Sequence, residues 1–143
     1  MTHLLDTDHI TFLQQQDGPE WATIVAHIGR VGQRNVGLPV VSFHEQVIGI
    51  HAELNKARKA ATLVRWYRRM AELFDLYAQS NLLPFDDAAA VELEAIRTET
   101  KKAVGDFDLR IAAIARSRGL TLVSRNRSDF GRVSGLAVED WTK

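Results

Sequence analysis

The sequence contains no cysteine, which excludes disulfides, cysteine-ligated zinc, iron–sulfur clusters and thiol nucleophiles and fits a reducing compartment. Net charge is also absent. Eighteen lysines and arginines balance eighteen aspartates and glutamates, so no overall field draws the chain to a polyanion. No apolar run approaches the roughly 18 residues a membrane helix needs. The opening MTHLLDTDHI lacks the basic start and extended apolar stretch of a secretion signal, and a cytoplasmic address without membrane contact is expected. What remains is ordinary in amount: 143 residues, the size of one domain with one core. Hydrophobic residues make up 45% and charged residues 25%, the balance of a folded chain rather than a disordered one.

The balanced total hides a segregated charge. Six basic residues and no acid lie between Lys56 and Arg69, with Trp66 and Tyr67 among them. Arg110, Arg116, Arg118, Arg125, Arg127 and Arg132 share a later stretch whose only acid is Asp129. Acids crowd instead at Asp86, Asp87, Glu92, Glu94, Glu99, Asp106 and Asp108. A positive rim around a negative pocket is one outcome of such a pattern, and solvated helix faces are the other.

Strand and helix patterns alternate along the chain. His3 to Leu5 reads as a short buried strand running into Asp6-Thr7-Asp8, which suits a helix start. Gly18-Pro19 breaks the chain, Glu20 to Val31 has helical spacing, and Gly32 stops it. Val36 to Val41 reads as a strand, and Ser42 and Glu45 fit a capping box for the helix that follows. Leu63, Tyr67, Met70, Phe74 and Tyr77 mark the core face of a long helix whose opposite face carries Arg58, Arg65 and Arg69. Tyr67 is expected in the core and Trp66 partly exposed. Leu82 to Phe85 is a candidate strand, and Asp86 or Asp87 caps a helix reaching about Lys102. Asp106 to Arg118 forms another helix, ended by Gly119. Leu120 to Ser124 and Val133 to Val138 complete the strands. This order predicts one α/β domain over residues 1–143, a three-layer sandwich with a mainly parallel sheet flanked by helices, binding its ligand outside the carboxyl ends of the strands.

Four carboxylates matter in that arrangement. Asp6, Glu45 and Asp129 follow predicted strand ends and Asp108 begins a helix, so a doubly wound sheet draws them toward one crevice. Each alone has a structural explanation as a cap, a first-turn acid or a loop stabiliser. Together they repel: two carboxylates about 4 Å apart cost about 4 kcal/mol at an effective dielectric near 20. Mg²⁺ or Mn²⁺ offsets this, because hard divalent ions prefer oxygen ligands and bridge phosphate oxygens. The chemistry expected is metal-assisted phosphodiester hydrolysis, with no protein nucleophile. The five histidines, His3, His9, His27, His44 and His51, lack zinc-binding spacing and are expected to be structural or on the surface.

The elements LLDTD, SFHEQVIGI, VGDFDLRIAAIA, LVSRNRSDF and VSGLAVEDW resemble, in order and over nearly the whole chain, the PIN-domain ribonucleases, and in particular the VapC-type toxins of toxin–antitoxin pairs. The resemblance implies that Asp6, Glu45 and Asp108 hold the metal, with Asp129 at a fourth, more variable acidic position, and all four are expected as catalytic metal ligands. Thr7, Ser124 and Asn126 match the family's auxiliary polar residues. It implies a magnesium-dependent endoribonuclease acting on structured RNA such as tRNA or ribosomal RNA, leaving a 5′-phosphate and a 3′-hydroxyl. It further implies an antitoxin partner and frequent homodimerisation. Arg110, Arg125 and Arg127 flank the acids and are candidate RNA contacts. Asp8 and Asp106 depart from the family pattern, and each is expected to cap its helix. A D-x-D phosphatase built on Asp6 and Asp8 and a non-cleaving RNA- or partner-binding scaffold are the alternatives.

Overall fold

The computed structural model describes residues 1–143. Its strands are β1 (His3–Leu5), β2 (Val36–Pro39), β3 (Asn81–Leu83), β4 (Thr121–Val123) and β5 (Val138–Glu139). Its helices are α1 (Thr7–Gln15), α2 (Gly18–Val31), α3 (Val40–Lys56), α4 (Ala60–Ala78), α5 (Asp87–Thr100), α6 (Asp106–Ser117) and α7 (Arg127–Phe130). The five strands form one sheet in the order β3-β2-β1-β4-β5, and every pairing is parallel. The order reverses at β1, so the crevice beside its carboxyl end is where such a sheet binds ligands.

Side chains alternate across the strands and build a core on each face. Leu4 and Leu122 join a cluster of 17 buried residues under α5 and α6, whereas Leu5 and Val123 point to a second cluster of 10 under α1, α2 and α4. α6 crosses the first core with Ile111 through Ala115 wholly buried. Its three small alanines there let α5 and the sheet approach closely, and its buried position fixes the acids in its first turn.

Three expectations are corrected. The second strand stops at Pro39 rather than Val41, because Pro39 has no N–H for another rung and instead precedes the first turn of α3. Ser42 and Glu45 therefore lie inside the helix and form no capping box. Within Val133 to Val138, only Val138 is paired in the sheet: Gly135 turns at φ 71°, and the Ser134 amide and carbonyl bond to Glu99 and Arg116. On α4 the core face is Trp66, Met70, Leu73 and Tyr77, and Tyr67 is 57% exposed, with Leu63 and Phe74 also outside. Burial of Leu73, and of Tyr77 with its hydroxyl donating to Gln46 Oε1 at 2.8 Å, sets that rotation. No helix is long and apolar enough to cross a membrane.

Candidate active site

At the carboxyl end of β1, the Asp6 amide donates to the Val123 carbonyl at 3.0 Å, extending the ladder by one residue. The Asp6 side chain then caps α1: Oδ1 accepts from the His9 amide at 2.9 Å and lies 3.0 Å from His9 Nδ1. Thr7 faces α3, where its hydroxyl lies 2.8 Å from Ser42 Oγ and 2.5 Å from Glu45 Oε1. The helix that begins at Val40 thus turns Ser42 and Glu45 toward β1. Ser42 is wholly buried, so the hydroxyl pair is protected from competing water.

Asp108 enters from the first turn of α6. Its carboxyl is pushed up to about 6, first by burial and then by the charges of Asp6, Glu45 and Asp129. Asn126 stands behind it, with Nδ2 at 3.0 Å from Asp129 Oδ2 and 3.5 Å from Asp108 Oδ2. Asn126 also caps α7, accepting from the Asp129 amide at Oδ1. Ser124 is wholly buried and accepts from the Asn126 amide at 3.0 Å, which shapes the turn from below.

Asp6, Thr7, Glu45, Asp108 and Asn126 line one open cavity of about 760 Å³ with no hydrophobic residue in its wall. Asp129 does not line it and acts on Asp108 through its charge and through Asn126. No three acidic or histidine side chains form a ready-made cation cage. The donors nevertheless suit a hard divalent cation, because they are all oxygens and like-charged. Moreover, one oxygen of each of Asp6, Glu45 and Asp108 has a protein donor, and no protein hydrogen bond reaches Asp6 Oδ2, Glu45 Oε2 or Asp108 Oδ1.

The basic candidates separate. Arg125 lines the cavity and grips Asp8 Oδ2 through Nε at 2.9 Å and a terminal nitrogen at 2.7 Å, its guanidinium stacked 4.9 Å from the Phe12 ring centre. Arg110 rests against Phe107, and Arg127 is exposed on α7. Asp8 and Asp106 do not cap: Asp6 caps α1, and α6 starts without a side-chain cap. The sequence reading also missed Asp140, Thr142 and Lys143, which close one side of the cavity. Burial pushes the Asp140 carboxyl up, but the Thr142 hydroxyl and amide outweigh it and hold it below the usual carboxylate range. Only the apolar-then-acidic ending LAVEDW marked that segment in the sequence.

A parallel sheet with helices on both faces and a wholly polar, acidic cavity at its strand ends defines the class of this protein. The sequence matches the PIN domain family over residues 4–136, and the chain belongs to that family. The tRNA(fMet)-specific endonuclease VapC of Shigella flexneri is 41% identical over 78 residues, 52% of this chain and 59% of that protein. Its namesake from Salmonella typhimurium is 35% identical over 77 residues, 52% of this chain and 58% of that one. The chain thus spans somewhat more than half the length of these relatives. DNA-bound VapBC from Salmonella typhimurium has a similar fold (TM-score 0.77, 24% identity, 99% of this chain and 98% of that one). So does VapBC-1 from nontypeable Haemophilus influenzae (TM-score 0.79, 21% identity, all of both chains).

Proposed function

We propose that this chain is a VapC-type endoribonuclease that hydrolyses RNA phosphodiester bonds with Mg²⁺ or Mn²⁺ held by Asp6, Glu45 and Asp108. The observation that carries this reading is the meeting of those three side chains in one polar cavity, where burial first and the charges of Asp6, Glu45 and Asp129 next raise Asp108 to about 6. A divalent cation bound there supplies a water of lowered pKa and neutralises charge on the phosphate. Asp6 is held through Oδ1 by α1 and keeps Oδ2 for binding; Thr7 does the same for Glu45. Asn126 spaces Asp108 from Asp129, so Asp129 tunes the site from outside its wall. Arg125 stands at the rim to bind an RNA phosphate, exchanging Asp8 for it.

The RNA class proposed is tRNA, the substrate in the names of the tRNA(fMet)-specific relatives, or else ribosomal RNA. An antitoxin and a second copy of the chain are the protein partners proposed, supported by the exposed apolar strip of Leu63, Val64, Tyr67 and Phe74 on α4. The test is incubation of the purified chain with structured RNA in Mg²⁺ or in EDTA, followed by mapping of the new 5′ ends. Cleavage in Mg²⁺ that is lost in EDTA and in Asp108→Asn supports the reading. Binding without cleavage in every condition would establish the non-cleaving scaffold instead. Hydrolysis of small phosphoesters without RNA cleavage would establish the D-x-D phosphatase instead.

A further inference from the structure

His9 is wholly buried, yet both of its ring nitrogens have partners, and these come from opposite ends of the chain. The Trp141 amide donates to Nε2 at 3.2 Å, so Nε2 is the unprotonated nitrogen and the proton sits on Nδ1. Nδ1 therefore donates to Asp6 Oδ1 at 3.0 Å. Asp140 Oδ1 lies 3.7 Å from Nε2, beyond hydrogen-bond length, and is instead bound by the Thr142 amide and hydroxyl. It does not compete for the ring.

The far end of this chain of contacts is rigid. The Trp141 indole is buried, stacks on His27 at 5.1 Å with planes 5° apart, and donates from Nε1 to Glu139 at 2.7 Å. Its amide is thereby fixed in space, which fixes the imidazole, which orients Asp6. Asp6 Oδ1 receives both the His9 amide and the His9 ring, leaving Oδ2 as the oxygen presented for binding.

We propose that His9 is a positioning residue for the cation site, transmitting the anchorage of the Asp140–Trp141 segment to Asp6 and selecting the oxygen that Asp6 offers to a divalent cation. This rests on the cation-binding reading above, with the test built to separate the two. Asparagine at position 9 keeps a donor where Nδ1 stands and loses contact with Trp141; glutamine keeps a polar group at the Nε2 end and loses the donor to Asp6. Binding of Mn²⁺ alone is measured by calorimetry for the parent chain, His9→Asn and His9→Gln, with melting temperatures alongside. Outer-sphere partners of metal ligands are commonly worth about 10- to 100-fold in affinity. His9→Gln, which loses the donor to Asp6, should weaken Mn²⁺ at least about tenfold, and His9→Asn, which keeps that donor but not its Trp141 anchor, should weaken it by a clearly smaller factor, although both melt earlier. If both variants bind Mn²⁺ like the parent, or both weaken alike, His9 is structural and the proposal fails. If the parent itself binds no Mn²⁺, the cation-binding reading fails and takes this inference with it.

Discussion

Asp108→Asn should make the protein more stable at neutral pH while abolishing cleavage. The Asp108 carboxyl rises from 3.8 to about 6 in the fold, first because it is buried and then because Asp6, Glu45 and Asp129 face it. An acid whose folded value lies above its unfolded one contributes fully below about pH 4, and that contribution is lost as pH rises through 6. At pH 7.5 the ionised carboxylate is therefore a burden on the native state. The rise corresponds to at most about 3 kcal/mol, and water around the half-buried side chain screens it to about 1 to 2 kcal/mol. For a chain of this size, that is about 3 to 6 °C in melting temperature. Thermal denaturation in EDTA should show the variant melting higher than the parent at pH 7.5, with the gap closing toward pH 4. In saturating Mg²⁺ the order should reverse, because a cation at 100 times its dissociation constant adds about 2.7 kcal/mol to the parent. A variant less stable than the parent at pH 7.5 in EDTA, or equally stabilised at both pH values, refutes the reasoning.

Other outcomes follow from the rim and the surface. The Asp8–Arg125 pair is half exposed, so Asp8→Asn should change stability by less than about 1 kcal/mol and tighten RNA binding in an Asp108→Asn background. Arg125→Gln in that background should weaken binding and flatten its salt dependence by about 0.7 for one lost phosphate contact; fluorescence anisotropy across a salt series checks both, and an unchanged slope removes Arg125 from the RNA surface. Tyr67→Glu with Phe74→Glu alters only exposed positions on α4. The double variant should keep its melting temperature and lose association with itself or with a co-expressed antitoxin in light scattering, whereas undiminished association would move the partner surface elsewhere.

Much of the layout was legible in the sequence because parallel α/β folds leave strong local signs. Asp6 follows a short apolar strand and caps a helix, as its neighbours implied, and Asp108 sits in the first turn of a helix whose Ile-Ala-Ala run announces burial. The rule that strand ends converge pointed Asp6, Glu45 and Asp129 to one crevice; Asp6 and Glu45 line it, Asp108 enters from the first turn of α6, and Asp129 stays outside its wall. Errors arose where a distant contact outweighed a local pattern. Two apolar stripes on α4 share Met70 and Tyr77, and only packing against α3 and the sheet chooses between them. Ser134 could extend a strand, but Arg116 and Glu99 occupy its backbone groups from two other helices. The Ser-x-x-Glu spacing at Ser42 fitted a cap, yet Pro39 starts the helix earlier and turns both residues to the site. His9 and Trp141 are 132 positions apart, and nothing local signals that they touch.

The most direct test of the account is a calorimetric Mn²⁺ titration of the parent, Asp6→Asn, Glu45→Gln, Asp108→Asn and their pairwise combinations. The account predicts one shared site, so that each single change weakens binding strongly and the double changes add little further loss. Three carboxylates whose removal leaves Mn²⁺ affinity unchanged, or whose effects simply add as for separate sites, would contradict it.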